Sequence, residues 1–235
     1  MRSSSGLSDV GCVRKNNEDN FLVEPAIGLY VVADGMGGAK AGEIASHLAV
    51  GLLRESVSAG QVYDEATLIY AFQQASQAVY DLAASNPEFE GMGTTMVCAL
   101  DLPGQFLIAN VGDSRAWLLH EGELSLVTAD QTWVNEVGRP LGLTEDKLKA
   151  HPMRHVLTMA VGIGQTLRVQ VISMQPPPGS LLLLSSDGLH GPVPPEELKN
   201  ILSQVITLPG RCHLLIEAAK QAGGPDNVTA VLLQF

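Results

Sequence analysis

Apolar residues in this chain repeat with two different periods. Residues 28–33 (Gly-Leu-Tyr-Val-Val-Ala) and 180–185 (Ser-Leu-Leu-Leu-Leu-Ser) are short apolar runs that lead into the Asp-Gly steps Asp34-Gly35 and Asp187-Gly188. Runs of this length predict strands buried on both faces. Residues 94–100 and 106–111 predict two more strands around a Pro103-Gly104 turn, and 115–120 and 123–127 another two around Glu121-Gly122. Such short connections imply antiparallel pairing. The last strand is expected at 228–235.

Between these runs the period becomes helical. Ala41, Ile44, Ala45, Leu48, Leu52 and Leu53 share one face of a helix over 41–57, and Leu68, Phe72, Ala75, Val79 and Leu82 share one face of a helix over 64–84. Asp64 is placed to cap the second of these. Further helices are expected from Pro194-Pro195 to about residue 205 and over 211–222, the latter stopped by Gly223-Gly224-Pro225. Residues 128–164 are more polar and less regular, with Thr144 capping a short helix that ends before His151-Pro152. They read as a loop-rich flap. No repeat, low-complexity tract or linker interrupts the chain, so 1–235 is expected to form a single domain. Hairpin-linked strands interrupted by paired helices predict an α+β fold, with helices covering sheets that pack on each other.

Charge narrows the function classes. Fourteen Lys and Arg stand against 25 Asp and Glu, a net charge of −11. That excess argues against nucleic acid and against an anionic membrane surface, both of which are bound through cationic side chains. It suits divalent cations, whose charge would then attract an anionic substrate. Cys12, Cys98 and Cys212 are far apart and form no Cys-x-x-Cys pair, so a reducing cytoplasm is the simplest expectation. The Ser-rich start has no apolar core of a signal peptide, and the apolar stretch 181–184 is far too short to span a bilayer.

Four aspartates sit at strand ends or in the turn entering a strand: Asp34, Asp113, Asp187 and Asp226. Each alone reads as turn chemistry. Likewise 14–20 (Arg-Lys-Asn-Asn-Glu-Asp-Asn) alone reads as a solvated loop. Together, carboxylates on one rim of a sheet offer the oxygen ligands that a hard six-coordinate cation takes.

The combination resembles the type-2C family of metal-dependent protein phosphatases, and in particular its compact bacterial members. The resemblance rests on Ser8-Asp9-Val10-Gly11 with Arg14 and Asn17-Glu18-Asp19, on Val32-Ala33-Asp34-Gly35-Met36-Gly37-Gly38 with Ala41-Gly42-Glu43, and on Gly91-Met92-Gly93-Thr94-Thr95. It continues in Asn110-Val111-Gly112-Asp113-Ser114-Arg115-Ala116, Ser185-Ser186-Asp187-Gly188-Leu189 and Gly224-Pro225-Asp226-Asn227-Val228-Thr229.

The resemblance implies a four-layer αββα sandwich of two antiparallel sheets flanked by helices. It implies a serine/threonine phosphatase that uses water activated by two Mg²⁺ or Mn²⁺ ions, with a weaker third. Asp34 would bridge the two core ions and the Gly35 carbonyl would bind the first. Asp187 and Asp226 would hold the second, and Asp113 with Asp187 the third. Glu18 and Asp19 would act through bound waters, and Arg14 would grip the substrate phosphate. Partners would be phosphorylated proteins, substrates of a cognate kinase in a bacterial signalling pathway, met by a cytoplasmic monomer. The alternatives are a catalytically weak binding module of the same fold, or a phosphatase for a small anti-sigma-antagonist protein.

Two positions depart from the bacterial pattern. Ala39 stands where many members have His, and Asp130-Gln131-Thr132 where many have Asp-His-Ser. Leaving-group protonation is therefore expected not to depend on a histidine of the second motif, and water polarised by the cations is the expected donor. His155 and His190 flank the flap and the presumed site.

Overall fold

The structure, a computed structural model, describes residues 2–37, 41–59 and 64–235. In chain order its elements are β1 (Ser3–Asp9), β2 (Asp19–Glu24), β3 (Leu29–Met36), α1 (Ala41–Ser58), α2 (Glu65–Ser85), β4 (Gly93–Thr94), β5 (Met96–Leu102), β6 (Gln105–Val111), β7 (Arg115–His120) and β8 (Glu123–Leu126). There follow α3 (Glu145–Ala150), β9 (Gln170–Met174), β10 (Leu181–Ser185), α4 (Asp187–His190), α5 (Pro195–Leu202), α6 (Leu208–Gln221) and β11 (Val228–Gln234).

The strands form two antiparallel sheets, ordered β1-β11-β10-β7-β8 and β2-β3-β5-β6-β9, with the two-residue β4 beside β3. Period-2 alternation explains the layering. Tyr30 and Val32 of β3 face a middle layer with Val97, Ala99, Ile108, Leu182, Leu184 and Val231. Their neighbours Leu29, Val31 and Ala33 face outward onto α1 and α2. Leu181, Leu183, Ala230 and Leu232 likewise face outward, onto α5 and α6. Central strands with a hydrophobic layer on each side must be apolar at every position, which is why they appeared as unbroken runs. The result is the expected αββα sandwich. Each fully buried Leu or Val of these layers contributes about 1.5–3 kcal/mol through area removed from water.

Asp64 caps α2 as the sequence suggests, its carboxylate accepting from Thr67 N at 2.8 Å. α6 begins three residues earlier than the pattern indicated, because Thr207 caps it and Pro209 is accommodated in the first turn. β1, β2 and β9 were not evident in the sequence. β1 lies in the Ser-rich start, β2 begins inside the 14–20 cluster that alone reads as a solvated loop, and all three lie at sheet edges. The flap region carries α3 and a π-helical turn over Val134–Gly138, and β-bridges join Thr132 to Leu157 and Thr94 to Val161. Trp133 stacks on His151 at 4.0 Å between ring centroids, giving this segment a small cluster of its own.

Candidate active site

The sandwich brings Asp34, Asp113, Asp187 and Asp226 to one end of the two sheets. There they line a cleft of about 640 Å³ together with Arg14, Glu18, Gly35 and flap residues 155 and 157–160. A sequence separation of 212 residues, between Arg14 and Asp226, closes across this cleft.

Each carboxylate is positioned by its backbone. Asp19 on β2 lies in register with Asp34 on β3. Thr95 fixes Asp34 twice, its hydroxyl accepting from Asp34 N at 3.1 Å and its own N–H donating to Asp34 O at 2.9 Å. The same hydroxyl shares a hydrogen bond of 2.7 Å with Ser114, which ties the Asp34 strand to the Asp113 loop. Two close approaches require glycine. A Cβ on Gly35 would fall 2.1 Å from Gly42 O, and one on Gly188 would fall 1.9 Å from Asn227 O. The β3–α1 step and the Asp187 turn can therefore pack this tightly only without a side chain.

Two further groups emerge only in three dimensions. The Asn227 side chain accepts from Glu18 N at 2.7 Å and donates to Val10 O and Asn16 O at 3.0 and 2.9 Å. It thereby anchors the whole 10–18 segment to β11. Gln131 is almost fully buried and bonded on all sides. Its Oε1 accepts from Gly112 N, its Nε2 donates to Arg168 O, its N–H donates to Gly112 O and its carbonyl accepts from Thr158 N, each at 2.9 Å. The sequence showed Gln131 only as a departure; its neighbours show that it couples the Asp113 loop to the flap wall. Gln131→Ala should strip the buried Gly112 N–H of its partner and cost roughly 1–3 kcal/mol. Thermal unfolding, with hydrogen exchange at Gly112, would reveal this; a native-like melting curve and unchanged exchange would contradict it.

Electrostatics sets this cleft apart from a structural cluster. Burial pushes the carboxyls of Asp19 and Asp113 up to about 7, with repulsion from Asp187 adding to it. Asp34 is raised well above the ordinary range and Asp187 is raised as well, burial being the leading cause for both, and the two share a hydrogen bond. Asp19 Oδ2 accepts from Ser186 and Thr229 at 2.8 and 2.6 Å, but its Oδ1, like Oδ1 of Asp187, is buried without a partner. Crowded, desolvated carboxylates with orphaned oxygens are short of positive charge. Arg14 meets part of that need, its guanidinium lying 2.7 Å from Asp226 on the solvent side.

A divalent cation fits this shortage. All the donors are oxygens, the choice of Mg²⁺ and Mn²⁺. Among the described residues no three acidic, histidine or cysteine side chains close into a cage. The rim would supply only part of a coordination shell and leave the rest to water and substrate, which is how Mg²⁺ is usually held.

Comparisons with known proteins follow the same line. The family model described as protein phosphatase 2C matches residues 13–218. The serine/threonine phosphatase stp of Listeria monocytogenes is 34% identical over 237 residues, spanning 97% of this chain and 93% of that protein. Among solved structures, the Streptococcus agalactiae serine/threonine phosphatase superposes with a TM-score of 0.93 at 29% identity, covering 100% of this chain and 99% of that one. The catalytic domain of the serine/threonine protein phosphatase PstP in complex with two manganese ions superposes at 0.88 with 33% identity, covering 99% of this chain and 97% of that one.

Proposed function

The chain belongs to the protein phosphatase 2C family, and on that premise we propose that it hydrolyses phosphoserine and phosphothreonine in proteins at a centre of two Mg²⁺ or Mn²⁺ ions. The observation that carries the reading is the convergence of Asp34, Asp113, Asp187 and Asp226 on one cleft, where desolvation raises the carboxyls of the first three. When bound, the cations would acidify a water and offset charge on the transferring phosphoryl group. Asp34 would serve both core ions, with the Gly35 carbonyl beside it. Asp187 and Asp226 would complete the second core ion, and Asp113 with Asp187 a weaker third. Glu18 and Asp19, themselves tethered by Asn227, Ser186 and Thr229, would orient bound waters.

The residues around the centre do the binding and orienting. Arg14, half-exposed at the rim, would exchange Asp226 for two substrate phosphate oxygens once a cation neutralises that carboxylate. The flap supplies the opposite wall and is the proposed seat of substrate choice, since loops on a rigid scaffold commonly hold specificity. The proposed setting is the cytoplasm of a bacterium, where the monomer would reverse a cognate serine/threonine kinase. No described helix is long and apolar enough to cross a membrane. No aspartate of the set is replaced, so nothing favours an inactive binding module.

The direct test is release of phosphate from phosphoserine and phosphothreonine peptides by the purified protein with Mn²⁺ or Mg²⁺. No release with either cation would overturn the reading. In the same assay Arg14→Ala should raise KM on the order of tenfold and change kcat less, the signature of binding shared by ground and transition states. A defect confined to kcat would instead place Arg14 in transition-state stabilisation.

A further inference from the structure

Resting on the phosphatase reading above, we propose that His155 is the general acid of the reaction, donating its imidazole proton to the seryl or threonyl oxygen as it leaves phosphorus. An alkoxide is a poor leaving group and needs a proton as its bond breaks. In the second motif, Met36 lines the cleft with no proton to give, and Ala39, which lies outside the described residues, is a residue type with none.

The positions of the six histidines leave one at the cleft. His47 lies on α1 beside Asn20, His120 ends β7 next to Glu121, and His213 lies on α6. The His151 ring stacks on Trp133. His190 shares a 2.9 Å hydrogen bond with the Ser185 hydroxyl and borders a neighbouring cavity, not the cleft itself. Of the six, His155 alone lines the catalytic cleft, on its flap side. It also borders a neighbouring cavity of about 340 Å³ that includes Asp113, Asp187 and His190.

The backbone presents this side chain firmly. Val156 N donates to Met153 O at 3.0 Å, closing a turn around His155, and Trp133 N donates to Val156 O at 2.8 Å. The ring itself is exposed, so it can exchange protons with solvent between turnovers. Other polar groups of the cleft serve poorly. Arg14 holds its proton too tightly, and the aspartates lose theirs when cations bind. Imidazole is the side chain whose ordinary titration lies near neutral pH, where proton donation is most effective.

In the proposed step, water oxygen bonds to phosphorus while the bond to the seryl oxygen breaks. The electron pair of that bond stays on the seryl oxygen, which takes the His155 proton and leaves as an alcohol. The attacking water releases one proton to solvent, and His155 regains one from solvent. The net reaction is phosphate ester plus water giving alcohol plus phosphate.

The experiment compares a phosphoserine peptide with a series of aryl phosphates of graded leaving-group acidity, using the Mn²⁺-loaded native chain and His155→Gln. The variant should lose on the order of 10²–10⁴ in kcat on the peptide and little on the most acidic aryl phosphate. Its rates should fall more steeply with leaving-group basicity, and added imidazole should partly restore peptide turnover in His155→Ala. Titrating inorganic phosphate into the native chain should also shift the His155 imidazole resonances in NMR spectra. Equal losses on all substrates, or no loss on the peptide, would overturn the assignment, the second outcome returning the proton to cation-polarised water. A native chain that turns over neither substrate class overturns the phosphatase reading and this assignment with it.

Discussion

Asp34→Asn is expected to lower turnover of a phosphoserine peptide by on the order of 10²–10³, the loss typical when one group stabilising a transition state is removed, while making the cation-free protein more stable. The two effects have one cause. Asp34 is buried beside Asp19, Asp187 and Asp113, and in the folded chain its carboxyl keeps a proton that the unfolded chain releases above the ordinary aspartate value. Above the ordinary aspartate value, folding must therefore recover that proton or leave a desolvated charge beside its neighbours. Asparagine has nearly the same shape, carries no charge and can still donate to Asp187, so the penalty disappears. Each kcal/mol recovered raises Tm by about 2–4 °C in a chain of this size. Steady-state kinetics with saturating Mn²⁺ and thermal unfolding in chelator measure the two halves. A variant that melts below the native chain in chelator would show that Asp34 holds the fold together, and the kinetic loss would lose its meaning. If Asp113 serves the weaker third ion proposed above, Asp113→Ala should slow turnover while calorimetric titration still finds the tighter cation sites.

Chelation should abolish turnover and leave a folded protein whose stability falls as pH rises. The sign follows from Asp19 and Asp113, both raised from 3.8 to about 7 by burial. Between those values the folded state holds protons that the unfolded state has released, so the contribution of these two groups declines across that interval and levels off above it. Cations reverse the trend, because they compete with those protons and bind best once the carboxylates are ionised. At pH 8 a cation at 100 times its Kd adds about 2.7 kcal/mol, or roughly 5–10 °C in Tm. At pH 5 the gain should be several-fold smaller. Thermal unfolding with and without Mn²⁺ at the two pH values decides the matter. Equal shifts at both, or full turnover in excess chelator, would remove the cation from the centre.

The legibility of this fold varied with where each element's stability comes from. β3, β10 and β11 were plain in the sequence because strands buried on both faces leave no room for a polar interruption. α1 and α2 were equally plain, since each buries one stripe against a sheet. β1, β2 and β9 were not. β1 reads Ser-Ser-Ser-Gly-Leu-Ser-Asp and has only β11 as its partner, so it is held by backbone hydrogen bonds along one edge. Such a strand needs little from its side chains, and the chain's hydrophobic pattern carries little trace of it. β2 fell partly inside a charged cluster, where Asp19 begins the strand and lies in register with Asp34.

The sequence by itself determined the parts of the chemistry that reside in residue type. Strand-end aspartates, glycines at Gly35 and Gly188, and the order of the motifs were enough to indicate the family, the αββα layering and the oxygen-only donor set. Tertiary structure alone decided which groups share a volume. It revealed that Asp19 lies in register with Asp34, that Asn227 anchors the 10–18 segment, and that Gln131 couples the Asp113 loop to the flap. It also revealed that, of six histidines, His155 is the one at the cleft. The physical reason is that hydrophobic periodicity records only burial on one element's own faces. Hydrogen bonds and electrostatic fields between segments a hundred or more residues apart exist only after the two sheets have packed and brought their loop ends to one rim.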